Sequence, residues 1–342
     1  MKKIVIATDA WEPQINGVVR CVEELKFNLE KKGFEVFIIH PRLFFVLPNI
    51  FYPEVRLSCF SKSKIKKIIS EQKPEYVHII TEGSIGLATR SVCLEKKIKF
   101  TTSYHTHFPY YASYYNKIKV GSSMLFSVIY AYLKWFHNAS DATMFCAKEL
   151  GQELEKHGFK KLCFWPLGID TELFKNDPQI AKDKNNFLHP VFLYFGRISK
   201  EKNVEEFLNC DLSGTKVIIG DGPQKKYLEK KYSKSAKFLG YKKGKELVKL
   251  ISNSDVFVFP SRTDTFGLVI IEALACGVPV AAHDVMGPKD IITDGVDGFL
   301  DENLERAALN CLNINRENCR KKALDFSLEK SADYFISNLV KN

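Results

Sequence analysis

No apolar run in the 342-residue sequence reaches the roughly 20 residues that a membrane-spanning helix needs; the longest, LFFVLPNIFYP (43–53) and MLFSVIYAYLKWF (124–136), stop well short. No transmembrane segment is expected. Cysteine occurs nine times but never as C-x-x-C, and an odd, scattered set suggests neither a zinc site nor a disulfide framework, so a reducing, cytoplasmic setting fits. In the opening MKKIVIATDAWEP, Asp9 and Glu12 follow the short apolar run too soon for a signal peptide, and the stretch reads as a first strand. No two aspartates stand two positions apart, so no Asp-x-Asp pair is available to hold a metal. Short-period repeats and low-complexity tracts are missing too.

What is present is an ordinary core-forming composition, 45% hydrophobic, in a chain long enough for two domains of about 150 residues. The net charge of +10 divides unevenly. Residues 1–165 hold 24 Lys and Arg against 15 Asp and Glu, or +9, leaving 26 against 25, or +1, for the rest. Such asymmetry points to a polyanionic partner: an anionic membrane surface, an acidic substrate or a nucleic acid. A lysine run such as SKSKIKKIISEQK also reads simply as a solvated helix face.

Short β-branched runs alternate with helical patterns. KIVIAT, EVFIIH, YVHII, KFTTSY and ATMFC read as strands in the first half, with Val18, Val22, Leu25 and Leu29 marking the buried face of a helix closed by Gly33. VFLYFG, KVIIG, KFLG, VFVFP and PVAA repeat the scheme in the second. Two successive βαβ series predict an α/β chain with two doubly wound parallel sheets, whose ligands lie where strand ends meet helix starts. The joint is expected near WPLGIDTELF, giving domains 1–167 and 168–326 with a helix at 327–342 returning to the first.

The stretch FPSRTDTFGLVIIEALACGVPVAA (259–282) sets Glu272 inside an apolar run and Asp264 eight positions earlier. A helix through Val269, Ile270, Ile271, Ala273 and Leu274 is apolar nearly all round, and a carboxylate buried with them is costly unless something binds it. The unpaired amides at Thr265, Phe266, Gly267 and Leu268 form an anion site, and Glu272, one to two turns on, can accept hydrogen bonds from a ribose diol. The same residues also fit a core carboxylate paired with a lysine and an Asp264 that caps the helix. Arg197 at the end of VFLYFG and Lys202 five residues later alter the balance, because a guanidinium and an ammonium converging at one sheet edge suit a diphosphate.

Taken in order, GRISKEKN from Gly196, GDGP, FLGY and SRTDTFGLVIIEALACGVPV resemble the retaining GT-B glycosyltransferases of family four, and TDAWEPQINGVVR, SYHTHFP and WPLGIDTELF extend the likeness over nearly the whole chain, nearest the branch that makes sulfoquinovosyl and glucosyl diacylglycerol. The resemblance implies two Rossmann-like domains facing a central cleft. It implies that Arg197 and Lys202 hold the diphosphate of a nucleotide sugar, that Glu272 binds ribose and that Asp264 contacts the transferred sugar. Most members have glutamate at that last position, so the shorter Asp264 leaves sugar identity open. Gly240 and Tyr241 are placed near the base, Gly17 beside Asn16 lets a loop approach the phosphates, and His105 lies beside the donor sugar, with His107 as its alternative. Retention without an enzyme nucleophile and without a metal is implied, the two cations and the helix start stabilising the leaving diphosphate.

The acceptor is read from aromatic and basic segments of the first half. Phe44 and Phe45, Tyr110 and Tyr111, and Lys64, Lys66 and Lys67 suit peripheral contact with anionic lipid. The expectation is therefore a metal-independent hexosyltransferase on the inner face of the cell membrane, passing glucose or a related sugar such as glucuronate from UDP to 1,2-diacylglycerol. Sulfoquinovose, galactose, and an ADP or GDP donor stay open. A transferase for a saccharide or phosphatidylinositol acceptor, such as a mannosyltransferase, is the second reading; a nucleic-acid binder is the third and leaves the four converging charged residues unexplained.

Overall fold

The computed structural model describes residues 2–12, 14, 17–48, 56–105, 122–176 and 187–342. Among them the chain divides into two compact units, one running to Leu167 and taking back Leu328–Asn342, the other spanning Gly168–Ser327.

In the first unit the strands β1 (Lys2–Ala7), β2 (Phe34–Ile39), β5 (Tyr76–Ile79), β6 (Thr101–Tyr104), β7 (Ala142–Phe145) and β8 (Leu162–Phe164) form one parallel sheet in the order β2-β1-β5-β6-β7-β8. The order reverses direction between β1 and β5, which makes the carboxyl ends of those two strands the topological switch point. A small antiparallel hairpin, β3 (Val46–Pro48) with β4 (Arg56–Ser58), lies apart from this sheet. The returning helix Leu328–Ser337 belongs to this unit through packing: the fully buried Phe335 sets its ring 4.8 Å from His78 and 4.9 Å from Trp165. Trp165 Nε1 donates to Ser331 Oγ at 3.1 Å, and that hydroxyl donates to Pro166 O at 2.7 Å, so the indole nitrogen is satisfied inside the core.

The second unit repeats the plan with β9 (Val191–Phe195), β10 (Thr215–Ile219), β11 (Ala236–Phe238), β12 (Val256–Phe259), β13 (Val280–Ala282) and β14 (Gly298–Leu300) in the parallel order β11-β10-β9-β12-β13-β14. Val191–Phe195 and Val256–Phe259 are buried at every position. This is why they read as unbroken apolar runs: helices cover both faces of a parallel sheet. Phe192, Tyr194, Ile218, Val256 and Val258 share one core with Leu228, Leu304 and Ala308 from the flanking helices. Two doubly wound parallel sheets are the architecture expected from the sequence; the three-residue strands β8 and β14 and the hairpin were not foreseen.

Candidate functional site

At the carboxyl ends of β9 to β12 the loops of the second unit are tied to one another by backbone. Ile198 N donates to Asp221 O at 2.8 Å, Gln224 N to Ile198 O at 3.0 Å, and Gly220 N to Gly240 O at 2.9 Å. Gly220 has φ +141° and a Cβ there would fall 1.9 Å from Gly196 O, so only glycine lets the GDG turn lie against the GR turn.

Arg197 and Lys202 enter from the loop after β9. Tyr194 donates its hydroxyl to Arg197 O at 2.7 Å; burial, then the Asp264 and Glu201 charges, push this phenol well above its ordinary range, so it stays a donor. Lys202 ends the short 3-10 turn Lys200–Lys202, and its ammonium meets the Asp264 carboxylate through Oδ1, with both side chains about a fifth to a quarter exposed. Ser261 Oγ reaches Glu201 O at 3.4 Å and so fastens the acidic loop to the basic turn. Gly287 presses on the same loop: at φ +89°, a Cβ would lie 2.6 Å from Asp264 O. Asp264 Oδ2 is buried without a hydrogen-bond partner, a polar atom aimed into the site and left for a donor to satisfy.

The helix after β12 is Leu268–Ala275, with the left-handed Gly267 as its cap residue and no side-chain cap. Asp264 therefore pairs with Lys202 instead of capping this helix. Glu272 is 2% exposed among Ile270, Ile271, Ala273 and Leu274, the all-round burial that its sequence context implied. Thr265 and Leu268 are partly exposed beside the helix start. Phe266 is not available to a ligand through its ring, which is buried and meets Phe326 edge-on at 5.9 Å; only its backbone faces the turn. Gly240, at φ +70°, closes the loop after β11, and Tyr241 next to it is exposed. Thus the loops of the second unit carry Arg197, Lys202, Asp264 and the start of the Glu272 helix on adjacent strand ends of one sheet.

In the first unit His105 follows β6, its ring edge-on to Trp165 at 5.4 Å. Burial, then the neighbouring His137, lower its pKa to about 4, so the imidazole is neutral at physiological pH and acts as a hydrogen-bonding group, not a cation. Gly17 begins the helix Gly17–Lys31, where a Cβ would meet nothing within 4 Å. Phe44 packs against the core, whereas Phe45 is exposed. On the helix Ser61–Gln72, Lys64 donates to Leu43 O at 2.5 Å, Lys66 pairs with Glu95 and Lys67 lies 3.8 Å from Glu71, so the run is already partly covered by carboxylates. Asn16, His107, Tyr110 and Tyr111 lie outside the described residues.

Sequence reasoning missed the polar interior at the switch point. Asp9, just after β1, accepts from Ile85 N at 2.8 Å, Gly86 N at 3.2 Å, Thr81 Oγ1 at 2.9 Å and Ser84 Oγ at 3.0 Å, holding the start of the helix Ser84–Lys96. His137 bridges Glu82 Oε1 at 3.1 Å and Thr102 Oγ1 at 2.9 Å. Of the apolar outer face of the hairpin it named Phe45 but not Leu57 or Phe60: Leu47 opposes Leu57, Cys59 N donates to Phe45 O at 3.0 Å, and Phe60 is 94% exposed. Among the described residues no group of three or more His, Cys, Asp or Glu is placed to hold a metal ion, and no helix is long and apolar enough to cross a membrane.

Comparison with known proteins matches both units. The family model Glycosyltransferase Family 4 aligns with residues 15–173, and Glycosyl transferases group 1 with residues 175–312. Sulfoquinovosyl transferase SQD2 of Arabidopsis thaliana is 31% identical over 74% of the chain, which spans about half (52%) of that protein's length. A GDP-mannose-dependent alpha-mannosyltransferase of Mycobacterium tuberculosis is 26% identical over 87% of the chain and 83% of its own length. The alpha-monoglucosyldiacylglycerol synthase of Acholeplasma laidlawii is 29% identical over 89% and 86%. Among solved structures, Anabaena HepE in complex with UDP and glucose shares the fold, with a TM-score of 0.72 at 15% identity over 98% of this chain and 99% of that one. Two parallel-sheet units, the charged loops at one sheet's carboxyl edge and a family match running through both units leave one conclusion: the chain is a GT-B glycosyltransferase of family four.

Proposed function

We propose that the enzyme transfers a hexose from a UDP-sugar to 1,2-diacylglycerol with retention of configuration and without a metal, giving an α-glycosyl diacylglycerol. One observation carries the donor half of this reading: Arg197, Lys202 and Asp264 converge on adjacent strand ends beside the start of the helix that buries Glu272. Arg197 and Lys202 meet the diphosphate, the amides at the start of Leu268–Ala275 add their partial positive charge, Glu272 takes the ribose diol and Asp264 takes a sugar hydroxyl. The acceptor hydroxyl attacks the anomeric carbon on the face that the diphosphate leaves. The bond from that carbon to the phosphate oxygen breaks, and the departing phosphate takes the acceptor's proton. Neutral His105 orients the donor sugar, and the open space around Gly17 leaves room for the phosphates to approach its backbone.

The acceptor half rests on the similarity to diacylglycerol-glycosylating proteins and on the apolar hairpin face of Phe45, Leu47, Leu57 and Phe60, an exposed cluster of the kind that meets lipid. On this reading the enzyme works as a peripheral protein at the inner face of the cell membrane. Similarity to GDP-mannose-dependent enzymes supports the second reading, a mannosyl donor with a saccharide or phosphatidylinositol acceptor. Incubating the protein with diacylglycerol vesicles and a panel of UDP-, GDP- and ADP-sugars, then identifying the lipid product by mass, separates the two. A hexosyl-diacylglycerol from UDP-sugar supports the first; product only with GDP-mannose and another acceptor replaces it.

A further inference from the structure

The near-neutral sum of the second unit conceals a strong local charge. Between Lys225 and Lys249 stand ten lysines against Glu229 and Glu246, 10 − 2 = +8 in 25 residues, while the whole chain carries +10. The stretch comprises the helix Lys225–Tyr232, the strand β11 and the helix Gly244–Ser252. Because β11 is the edge of its sheet, and successive right-handed crossovers set the helices before and after it on opposite faces, these lysines wrap one edge of the unit.

Three of them are covered: Lys225 lies 3.6 Å from Asp221, Lys231 2.7 Å from Glu205 and Lys242 2.5 Å from Glu246. Lys226, Lys230, Lys234, Lys237, Lys243 and Lys245 are exposed, and none has a carboxylate partner among the described residues. Guarding an edge strand against pairing explains Lys237 alone, since the others lie on helices and turns. A single nucleotide would need cations converging on a point, whereas the eight-residue helix by itself extends about 12 Å. An extended anionic surface fits the spread. The stretch contains no arginine, the residue whose fork reads phosphates and bases, and it exposes Tyr227 and Tyr241, whose rings have an apolar body and a polar tip suited to a headgroup layer.

We infer that this lysine-rich edge of the second unit is an electrostatic docking face for an anionic phospholipid bilayer. The inference rests on the lipid-acceptor reading. Each lysine near an anionic surface contributes roughly a fivefold gain in binding, and a charged face with an apolar contact gives reversible anchoring where either alone is weak.

The test uses the full chain and sedimentation with vesicles of phosphatidylcholine alone or with about a third phosphatidylglycerol. The expected result is capture by the anionic vesicles, weakened by salt. Replacing Lys226, Lys230, Lys234 and Lys237 together by glutamine should lower that capture by roughly six hundredfold, while UDP binding and the circular dichroism spectrum stay as in the parent. Unchanged capture by the quadruple variant, or equal capture by neutral vesicles, overturns the inference. So does a single-stranded RNA homopolymer that displaces the protein from the vesicles, which would assign the face to nucleic acid. Failure of the lipid-acceptor reading looks different: lysine-dependent capture with no glycosylated diacylglycerol.

Discussion

Two lysine-rich segments, one in each unit, have opposite surroundings. On the helix Ser61–Gln72, Lys62 and Lys66 share Glu95 and Lys64 is turned onto a backbone carbonyl and the Phe44 ring. Around β11 six lysines stand uncovered. Summing charge over halves of the chain had assigned the basic excess to the first unit. Field at a surface depends on what lies within a Debye length, about 8 Å at physiological salt, so a carboxylate one helix turn away matters more than a total over 165 residues.

The largest effect should separate the units by chemistry. Arg197→Ala and Glu272→Ala, both in the second unit, are each expected to lower transfer by about a thousandfold or more, since diphosphate charge and ribose contacts both act in the transition state. Vesicle capture should persist in both variants. Near-normal turnover in either, measured with the fold verified by thermal melting, would remove that residue from the donor site.

The next effect ranks the two lysine segments. Lys64→Gln, Lys66→Gln and Lys67→Gln combined should reduce anionic-vesicle capture by less than about tenfold, because their ion pairs already offset part of the charge, against roughly six hundredfold for the four substitutions around β11. If the first-unit triple variant loses more, the hairpin side carries the electrostatic contact and the ranking reverses.

The architecture was legible because a parallel sheet covered on both faces writes its strands as apolar runs, as in Val191–Phe195. Leu162–Phe164 and Gly298–Leu300 were too short to register as a pattern. The placement of Arg197, Lys202 and Asp264 was legible by another route: each lies in a loop or turn that follows a strand of one series, and strand ends of one series meet at one edge, while Glu272 lies on the helix that follows the last of these loops. Asp9 was not, because the groups that justify its burial, Thr81, Ser84, Ile85 and Gly86, are more than 70 positions away. His137 and Glu82 were hidden for the same reason.

Buried histidines contribute to the acid sensitivity of the first unit. His105 titrates at about 4 in the fold against an ordinary value of about 6.5, and His78 is also held well below it by burial and then by the His105 charge. Between these values the unfolded chain takes up protons that the fold refuses, so stability is complete above about pH 6.5 and falls as pH drops towards 4. His105 alone should cost about 2 kcal/mol at pH 5 relative to pH 7. Urea midpoints at the two values should show the loss, and His105→Gln should diminish it. An identical pH dependence in that variant would mean that His105 is solvated and titrates normally.

The smallest effect concerns the donor-site cation Lys202. Lys202 is met by Asp264, and the pair is partly exposed, so the contact is worth about 1 kcal/mol or less. A diphosphate must compete with Asp264 for that ammonium. Asp264→Asn removes the competing charge while keeping size and hydrogen-bonding capacity, so UDP should bind up to about fivefold more tightly, measured by calorimetry at low salt. Transfer should nonetheless fall, because the carboxylate that would accept a sugar hydroxyl is gone. The two directions are the point of the experiment: a residue that reads only the sugar loses turnover and gains or keeps nucleotide affinity. Weaker UDP binding in step with lost transfer would mean that Asp264 supports the diphosphate site itself, and that its pairing with Lys202 positions the lysine for the donor instead of holding it back.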